Sequence, residues 1–428
     1  MSNPTETPAE VSVDIEGLRA ALPPGTEVAA APFDVDGARP TLAARPTTPE
    51  QVAMILRTAS ERGVAVVPQG GRTALSLGRP LSRYELALDT SGLNAVIEYA
   101  PDDLTITVQA GLTLRSLQAV LGEYGQYLSV DPPPDDRVTV GGLLATARSG
   151  AWRGHLPAAR DLVLGATVAM ADGALATSGG RVVKNVSGFD MHRLHTGALG
   201  ALGVIVTASF KVAPQPASHR SMLLACSSTT DAGTLARALW DLNLAVRAIT
   251  ILGPRAAEAI ELAAQPAILV EFAGVEAATT RSVDRATALA RESGARADAA
   301  DDSFWTKLRS LGGESPEAPD AVVARAGVPT TSVAALVEQA ESQGFAAWGH
   351  VAAGAVWMRS TEAAAPQITA LRTSAEAVQG FLQIESAPRG LREQLDPFGE
   401  TERELVRSLK ARFDATGTIN PGRWMVGV

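Results

Sequence analysis

The chain reads Pro68-Gln69-Gly70-Gly71-Arg72-Thr73-Ala74-Leu75-Ser76-Leu77-Gly78 directly after the short apolar run 64–67. That run predicts a buried strand, which delivers consecutive small residues into a loop. Gly70 and Gly71 allow positive φ angles and close approach, while Thr73 and Ser76 add hydroxyl groups. The backbone N–H groups of such a loop can converge on a phosphate or pyrophosphate. An ordinary glycine turn is the alternative interpretation.

The usual nucleotide-binding motifs are absent from the sequence. There is no Gly-x-x-x-x-Gly-Lys-Ser/Thr motif, and no Gly-x-Gly-x-x-Gly follows a predicted strand. Gly197, Gly200 and Gly203 are spaced by three, which is a different pattern. If the 68–78 loop binds a phosphate, it therefore belongs to another kind of site.

Composition excludes several classes of protein. The 428 residues predict two or three domains, and a hydrophobic content of 46% excludes wholesale disorder. A net charge of -9 without a basic patch argues against nucleic acid as a partner. The single Cys226 excludes a disulfide framework and an iron–sulfur cluster held by this chain alone. Without a long apolar stretch or a visible secretory signal, we expect a soluble cytoplasmic protein.

A second glycine-rich region spans residues 131–205 and predicts a backbone that passes close to something flat or extended. It contains the strings Arg160-Asp161 and Lys184-Asn185-Val186-Ser187-Gly188-Phe189-Asp190. A surface ion pair and a helix cap are the alternative interpretations of these strings. Because Lys occurs at only four positions, against 33 Arg, Lys184 favours a functional interpretation.

Local patterns outline the architecture. Thr48 and Thr113 predict helix starts, 96–100 and 104–110 predict strands, and Asp172-Gly173 predicts a hairpin turn. Beyond an expected linker at 214–216, helical runs alternate with short apolar strands, which is typical of an α+β domain. A final amphipathic helix is predicted over 400–413.

Together these strings resemble, in order and spacing, the FAD-binding domain of the vanillyl-alcohol-oxidase/PCMH flavoproteins. The stretches that carry the resemblance are 68–78, 140–142, 160–165, 184–190 and 197–205. Within that superfamily the chain resembles the FAD-binding E subunits of bacterial glycolate oxidases. The marks of that subfamily are Pro132-Pro133, the 160–165 string, Lys184-Asn185 and the C-terminal Asn420-Pro421-Gly422-Arg423.

The resemblance implies an α+β fold with a PCMH-type FAD-binding domain of two α/β subdomains and a cap domain with an antiparallel sheet. It divides the chain into a lead-in (1–35), the FAD-binding domain (36–215), the cap (216–380) and a segment (381–428) that returns to the FAD-binding domain. The 69–74 backbone would hold the pyrophosphate, and a loop without His implies non-covalent FAD. The cofactor-binding residues implied are Gln69, Gly70, Gly71, Arg72, Thr73, Ala74, Ser76, Gly78, Pro132, Pro133, Thr139, Val140, Gly141, Gly142, Gly150, Gly154, Asn185, Gly203, Val204 and Ile205.

Catalytic relatives carry two histidine motifs in the cap, and here both are incomplete. His350 begins the counterpart of the first, but Trp357 stands at its last His; Glu385 belongs to the second, with Ser386 where a His would be. One His and one Glu make a poor metal site, so no metal is predicted. His350, Glu385 and Arg389 remain as catalytic candidates, with a core histidine and a surface arginine as the alternatives.

Other polar residues give weaker predictions. His155, beside Gly154, is expected near the flavin. His192 and His195 have metal-ligand spacing on a predicted helix but lack a third ligand, which favours a structural role. Arg325 is a further candidate for a substrate carboxylate, although a surface arginine is the stronger interpretation.

Three hypotheses of function follow. The first is an FAD-binding subunit of a glycolate oxidase complex, which turns glycolate into glyoxylate beside a second FAD subunit and an iron–sulfur subunit. Any membrane association would then come through those partners. The second is a free-standing FAD-dependent oxidase or dehydrogenase of another alcohol or 2-hydroxy acid. The third is a non-enzymatic assembly subunit, against which the intact glycines argue.

Overall fold

The computed structural model describes residues 13–181, 188–315, 318–399 and 403–428. Within them the chain forms a first domain of three sheets and a second domain built on one eight-stranded sheet. In the described ranges no helix is both long and apolar enough to cross a membrane.

The first domain contains two short sheet systems and a two-stranded ribbon. Its elements are α1 (Ile15–Ala21), β1 (Glu27–Val28), β2 (Leu42–Ala44), α2 (Pro49–Glu61), β3 (Val66–Gln69), β4 (Leu86–Asp89), β5 (Val96–Ala100), β6 (Thr105–Gln109), α3 (Leu114–Gly122), β7 (Gln126–Tyr127), α4 (Val140–Thr146), α5 (Ala159–Leu162), β8 (Val163–Ala169), β9 (Leu175–Gly179), α6 (Met191–His195), β10 (Val204–Lys211) and β11 (Ala213–Pro214). The sheet orders are β1-β2-β4-β3, with β2, β4 and β3 parallel, the antiparallel β5-β6-β10-β8-β9, and β11-β7.

Local sequence explains why the loop 70–78 leaves β3 where it does. The predicted cap at Thr48 is confirmed, since its Oγ1 accepts the Gln51 N–H at 3.3 Å and α2 begins at Pro49. The apolar face of α2 packs in one core with β3 and β4, which fixes the direction of β3. Gly70 and Gly71 follow at its end, where the chain turns toward the second domain.

The second domain has a single sheet whose pairings are all antiparallel, in the order β15-β12-β14-β13-β17-β18-β16-β19. Its elements are β12 (Ser218–Ala225), α7 (Thr229–Asp241), β13 (Val246–Leu252), α8 (Pro254–Ala259), β14 (Ala267–Gly274), α9 (Glu276–Glu292), β15 (Arg296–Ala299), α10 (Ser303–Leu311), β16 (Val322–Gly327), α11 (Val333–Ser342), β17 (Ala346–His350), β18 (Ala355–Ser360), α12 (Ala365–Ala377) and β19 (Phe381–Ser386). One core lies between the sheet and α7, α9, α11 and α12, while α8 and α10 cover a second core on the other face.

The C-terminal segment lies against the first domain. After α13 (Arg389–Gln394) and α14 (Arg403–Phe413), Ile419 forms a parallel bridge with Val66. The Asn420 N–H then donates to the Val66 carbonyl at 2.8 Å, and the Arg79 N–H donates to the Arg423 carbonyl at 2.9 Å. This pairing brings the last residues of the chain beside the glycine loop that leaves β3.

Candidate functional site

A cleft of about 960 Å³, here called the main cleft, separates the glycine loop from the second domain. Its walls come from loop 69–75, from residues 132–148, from Gly313 and Glu314 after α10, and from the C-terminal Asn420 and Arg423. The predicted cofactor-binding residues that line it are Gln69, Gly70, Gly71, Arg72, Thr73, Ala74, Pro132, Pro133, Thr139 and Gly142. Segments far apart in the sequence therefore converge on one cavity.

The glycine loop offers free backbone donors to this cleft. From Gly71 to Ala74, no backbone N–H donates to an acceptor within the described residues. The loop turns at Arg72, whose φ of 58° is positive, whereas Gly70 and Gly71 have no positive φ. Consecutive free N–H groups in a turn of this kind suit a phosphate or another anion.

Close packing explains why Gly70 and Gly71 stand in the loop. A Cβ on Gly70 would overlap the Thr139 hydroxyl, and a Cβ on Gly71 would overlap the Arg137 carbonyl oxygen. Of the two properties expected of these glycines, the structure uses close approach, to segment 137–139, and not a positive φ. Thr139 in turn caps α4 by accepting the Gly142 N–H at 3.2 Å.

Three buried polar atoms in the wall of the main cleft have no partner among the described residues. They are Gln69 Oε1, Asn420 Oδ1 and Arg423 Nη1. The other ends of the two C-terminal side chains are held, since Asn420 Nδ2 donates to the Leu199 carbonyl at 2.6 Å and Arg423 Nη2 donates to the Leu75 carbonyl. Burial lowers the pKa of Arg423 to about 10, so it stays cationic at neutral pH. A polar ligand with donors and acceptors would satisfy these atoms.

Arg148 joins the two domains at the floor of the cleft. Its guanidinium pairs with Glu385 (Nε–Oε2 3.2 Å) and contacts the carbonyl oxygens of Thr73 and Gly312. Arg325 pairs with the second oxygen of Glu385 at 2.9 Å. The two arginines hold the pKa of the buried Glu385 below its usual value against the opposing effect of burial. Glu385 is therefore an ionised structural anchor between two cations, which argues against a role as a proton acceptor.

A smaller cavity of about 290 Å³, here called the side cavity, adjoins the main cleft at Pro133. Trp305 and Leu308 of α10, Trp348 of β17 and Trp357 of β18 form its apolar wall. The polar residues of its lining are Asp131, Ser149, Arg309 and His350. The cavity lies at the junction of the two domains.

Burial shifts the pKa of two side chains of the side cavity, Asp131 and His350. Burial raises the pKa of Asp131 to about 7, although its carboxylate accepts the N–H groups of Gly150 (3.1 Å) and Trp152 (2.9 Å). Burial lowers the pKa of His350 to about 3, so the imidazole is neutral at physiological pH. His350 Nδ1 lies 2.9 Å from Thr250 Oγ1, which leaves Nε2 for the cavity.

The remaining predicted residues lie outside the main cleft. Ser76 donates to Glu314 at 2.7 Å in an adjoining cavity, and Gly150 lines the side cavity. Gly154 (φ 97°) packs against Ala352 of the second domain. Asn185, with Lys184, lies outside the described residues. Those that face the interior or other segments of the first domain are Gly78, Val140, Gly141, Gly203, Val204 and Ile205.

For several predicted catalytic residues and histidines, the surrounding contacts favour a structural role. Arg389 is exposed on α13 and pairs with Glu393 at 2.7 Å, which places it outside both cavities. His155 packs against Trp240 at 5.0 Å between ring centroids and does not line the main cleft, and its expected position near the flavin stays a prediction. His195 packs against Phe413, and His192 Nδ1 lies 3.2 Å from Ser178 Oγ. Across the described ranges no three His, Cys, Asp or Glu side chains are placed to hold a metal ion.

Comparison with known proteins first defines the class. Residues 40–179 match the family described as FAD binding domain. The fold is similar to a substrate-bound p-cresol methylhydroxylase structure, with a TM-score of 0.76 at 14% identity over 95% of this chain and 95% of that one. A 4-ethylphenol oxidase from Gulosibacter chungangensis gives a TM-score of 0.67 at 16% identity over 91% and 90% of the two chains. The predicted PCMH-type FAD-binding fold with an α+β cap is confirmed, and the cofactor of its first domain is FAD.

Sequence relatives narrow the resemblance. Glycolate oxidase subunit GlcE of Escherichia coli is 35% identical over 158 residues, which cover 37% of this chain and 45% of that protein. D-2-hydroxyglutarate dehydrogenase of Xanthomonas citri pv. viticola is 35% identical over 189 residues, or 44% of this chain and 40% of that protein. The matches thus span less than half the length of these relatives.

FAD fits the residues that form the main cleft. The free N–H groups of loop 71–74 suit a pyrophosphate, and the unpartnered atoms of Gln69, Asn420 and Arg423 offer donors and acceptors to a large polar ligand. Sequence reasoning did not assign Arg148, Arg423, Asp131 or Arg309 to the site. In a chain with 33 Arg, nothing in the local pattern separates a buried arginine from a surface one.

Proposed function

We propose that the chain is an FAD-dependent oxidoreductase of the 2-hydroxy acid class that holds FAD non-covalently in the main cleft. The observation that carries the proposal is the convergence of free loop N–H groups and unpartnered buried polar atoms on one cavity of the FAD-binding fold. The relatives named above supply the substrate class. Among the described residues that line the main cleft there is no His, Cys or Tyr, which favours a non-covalent cofactor.

Each wall of the main cleft has a separate task in this proposal. The 71–74 backbone and the cap of α4 at Thr139 would hold the pyrophosphate, and Gln69, Asn420 and Arg423 would hold polar groups further along the dinucleotide. Bound FAD supplies the two-electron acceptor. Pro132, Pro133 and Leu143 exclude water from one side, and Arg148 keeps the second domain closed over the loop.

We infer further that the chain works as a subunit of a glycolate oxidase complex and passes electrons to a second FAD subunit and an iron–sulfur subunit. The resemblance to GlcE supports this role. The cap supports it as well, because Trp357 and Ser386 replace the expected metal-binding histidines and Glu385 is neutralised by two arginines. A partner would then provide the complete hydroxy-acid site.

The test compares the isolated, FAD-loaded chain with a preparation purified from its native source. Anaerobic addition of glycolate should leave the flavin of the isolated chain oxidised. In the native preparation, which should contain a Cys-rich partner, glycolate should bleach the flavin absorbance. Bleaching in the isolated chain, or a native preparation that contains this chain alone, would contradict the subunit role.

A free-standing oxidoreductase acting on a different hydroxy acid or alcohol is the second candidate. The side cavity favours it, since a neutral imidazole and a buried carboxyl group share a space beside the main cleft. A panel of alcohols and 2-hydroxy acids added to the isolated chain distinguishes the two, because only this candidate predicts flavin reduction without a partner. A preparation that never retains FAD would instead favour a non-enzymatic assembly subunit.

A further inference from the structure

Glu314 of the second domain places a carboxylate on the glycine loop of the first domain. Its Oε1 accepts the Ser76 backbone N–H at 2.8 Å and the Ser76 hydroxyl at 2.7 Å. Glu314 lines both the main cleft and the adjoining cavity that contains Ser76. The N–H groups of 71–74, which have no acceptor within the described residues, precede this contact in the chain. One anion therefore binds the end of a loop whose other donors suit a phosphate.

The surroundings of the Glu314 carboxylate are suited to an anion. The carboxylate interacts electrostatically with Arg137 and with Arg423, whose Nη1 has no partner among the described residues. Arg423 is only 5% exposed and lines the main cleft, so little water screens its charge. Glu314 thus uses the same positive region that a cofactor pyrophosphate would use. Two anions side by side in this region would repel each other.

The backbone that carries Glu314 is held by two arginines. Arg148 donates to the Gly312 carbonyl at 3.3 Å, and Arg359 donates to the Gly313 carbonyl at 2.9 Å. The Glu314 side chain itself is exposed to solvent. Because a rotamer change needs no movement of the turn or of the domains, the carboxylate can leave the loop at small cost.

We infer that Glu314 is a displaceable internal anion, here called the Glu314 latch, which occupies the end of the glycine loop until the pyrophosphate of a dinucleotide takes its place. This inference deepens the proposed function and rests on its assignment of FAD to the main cleft. Before the ligand binds, the latch joins the glycine loop to the turn after α10. The apparent affinity for a phosphate-bearing ligand is then reduced by the fraction of chains in which Glu314 has left the loop.

The experiment measures binding to the FAD-free full chain by isothermal titration calorimetry, with FAD and inorganic pyrophosphate as the probes. Glu314→Gln keeps the size of the side chain and removes its charge. The variant should bind both probes about fivefold more tightly than the wild type, because the competing anion and its repulsion are lost. Unchanged or weaker pyrophosphate binding in Glu314→Gln would overturn the inference.

Salt and a control variant separate competition between charges from a change in the fold. The gain in Glu314→Gln should shrink to less than about twofold when NaCl rises from about 0.05 M to about 1 M, because the Debye length falls to about 3 Å. Glu276→Gln removes an exposed carboxylate that pairs with Arg220 outside the main cleft, and it should bind both probes like the wild type. A gain that salt does not reduce, or an equal gain in Glu276→Gln, would also overturn the inference. The thermal midpoint of each variant confirms that it is folded.

The two probes distinguish failure of the inference from failure of the proposed function. Equal FAD affinity in the wild type and Glu314→Gln overturns the latch and leaves the FAD assignment standing. Tighter pyrophosphate binding by Glu314→Gln, in a chain that binds no FAD, supports the latch and contradicts the proposed oxidoreductase. A chain that binds neither probe, with or without the Glu314 carboxylate, contradicts both.

Discussion

Arg148 shows how one side chain can connect the glycine loop to the second domain. Its guanidinium reaches Thr73 of the loop, Gly312 after α10 and Glu385 of β19, all within the buried floor of the main cleft. Removing one member of a buried ion pair leaves the partner without compensation for its desolvation. The residue therefore affects both the stability of the molecule and the shape of the cleft.

We predict that Arg148→Met, which keeps the aliphatic stem, lowers the free energy of unfolding by about 3 kcal/mol or more because Glu385 keeps only Arg325. Chemical denaturation of the FAD-free chain measures the change. Arg389→Met is the matched control, and its exposed pair with Glu393 should contribute little. Equal losses in the two variants would contradict the anchoring role of Arg148.

Two glycines of the cleft should respond to alanine in different ways. A Cβ on Gly142 would meet Thr139 Oγ1 at 3.1 Å and otherwise project into the main cleft, whereas a Cβ on Gly71 would overlap the Arg137 carbonyl. Gly142→Ala should therefore preserve or raise the thermal midpoint of the FAD-free chain, since alanine favours α4 by about 0.5–1 kcal/mol. Gly71→Ala should lower that midpoint.

Both variants should retain less FAD, but only Gly142→Ala should do so with an intact fold. Flavin fluorescence after denaturation and filtration measures the FAD retained. Wild-type FAD content in Gly142→Ala would remove α4 from the cofactor site.

Single residues were predicted unevenly, and the causes are physical. The loop residues 69–74 were found because small residues after a strand form a recognisable local signal. His350 lines the side cavity and its catalytic role stays a prediction, whereas the ion pairs of Glu385 and Arg389 do not support the catalytic roles expected for them. Asp131 and Arg309 come together in the side cavity only because the two domains are in contact, and no local sequence pattern predicts that contact.

At the scale of elements, a cluster on the sheet of the second domain holds the loop after α4. Glu271 of β14 pairs with His219 of β12 at 2.6 Å and with Arg247 of β13, and it accepts the Trp152 indole N–H at 2.6 Å. The Arg247 guanidinium lies 4.1 Å from the centre of a Trp152 ring. Trp152 belongs to the loop that also donates to Asp131, so this cluster supports one side of the side cavity.

The pH dependence of the stability that this cluster contributes follows from the direction of the Glu271 pKa shift. Burial alone would raise the pKa of Glu271, but His219 and Arg247 lower it from 4.5 to about 2. A carboxyl group with a lowered folded pKa stabilises the protein fully above its unfolded pKa, and that stabilisation is lost as the pH falls through the folded pKa.

Glu271→Gln should therefore cost about 3 kcal/mol of unfolding free energy at pH 7, and the cost should shrink steadily below pH 4.5. Urea titrations of both proteins between pH 3 and pH 7 measure this. A cost that stays constant across that range would show that the ion pairs contribute nothing to stability.

Elements with strong periodicity were predicted well. The helices α2 and α3 begin directly after the predicted starts at Thr48 and Thr113, and the strands β5 and β6 lie within a residue of the predicted 96–100 and 104–110. By contrast, β16, β19 and α12 were not anticipated, because Ala-rich runs such as Val322–Gly327 carry little alternation and depend on neighbouring strands for their structure.

At the scale of the whole molecule, the main cleft forms only where both domains and the C-terminal segment meet. The main cleft combines loop 69–75, segment 132–148, the turn after α10 and the C-terminal Asn420 and Arg423. The family resemblance anticipated this arrangement as a return of the C-terminal segment, whereas periodicity and composition could not. The side cavity lies at the contact between the two domains, so its lining could not be predicted from local sequence patterns.

The most direct measurement is the flavin content of the purified full chain and the form in which denaturation releases it. The account predicts about one FAD per chain, seen as the visible absorbance of oxidised flavin. After denaturation and ultrafiltration, intact FAD should pass into the filtrate and leave a colourless protein. A chain that purifies without flavin and takes up none from added FAD, or one that keeps the flavin after denaturation, would contradict non-covalent FAD in the main cleft.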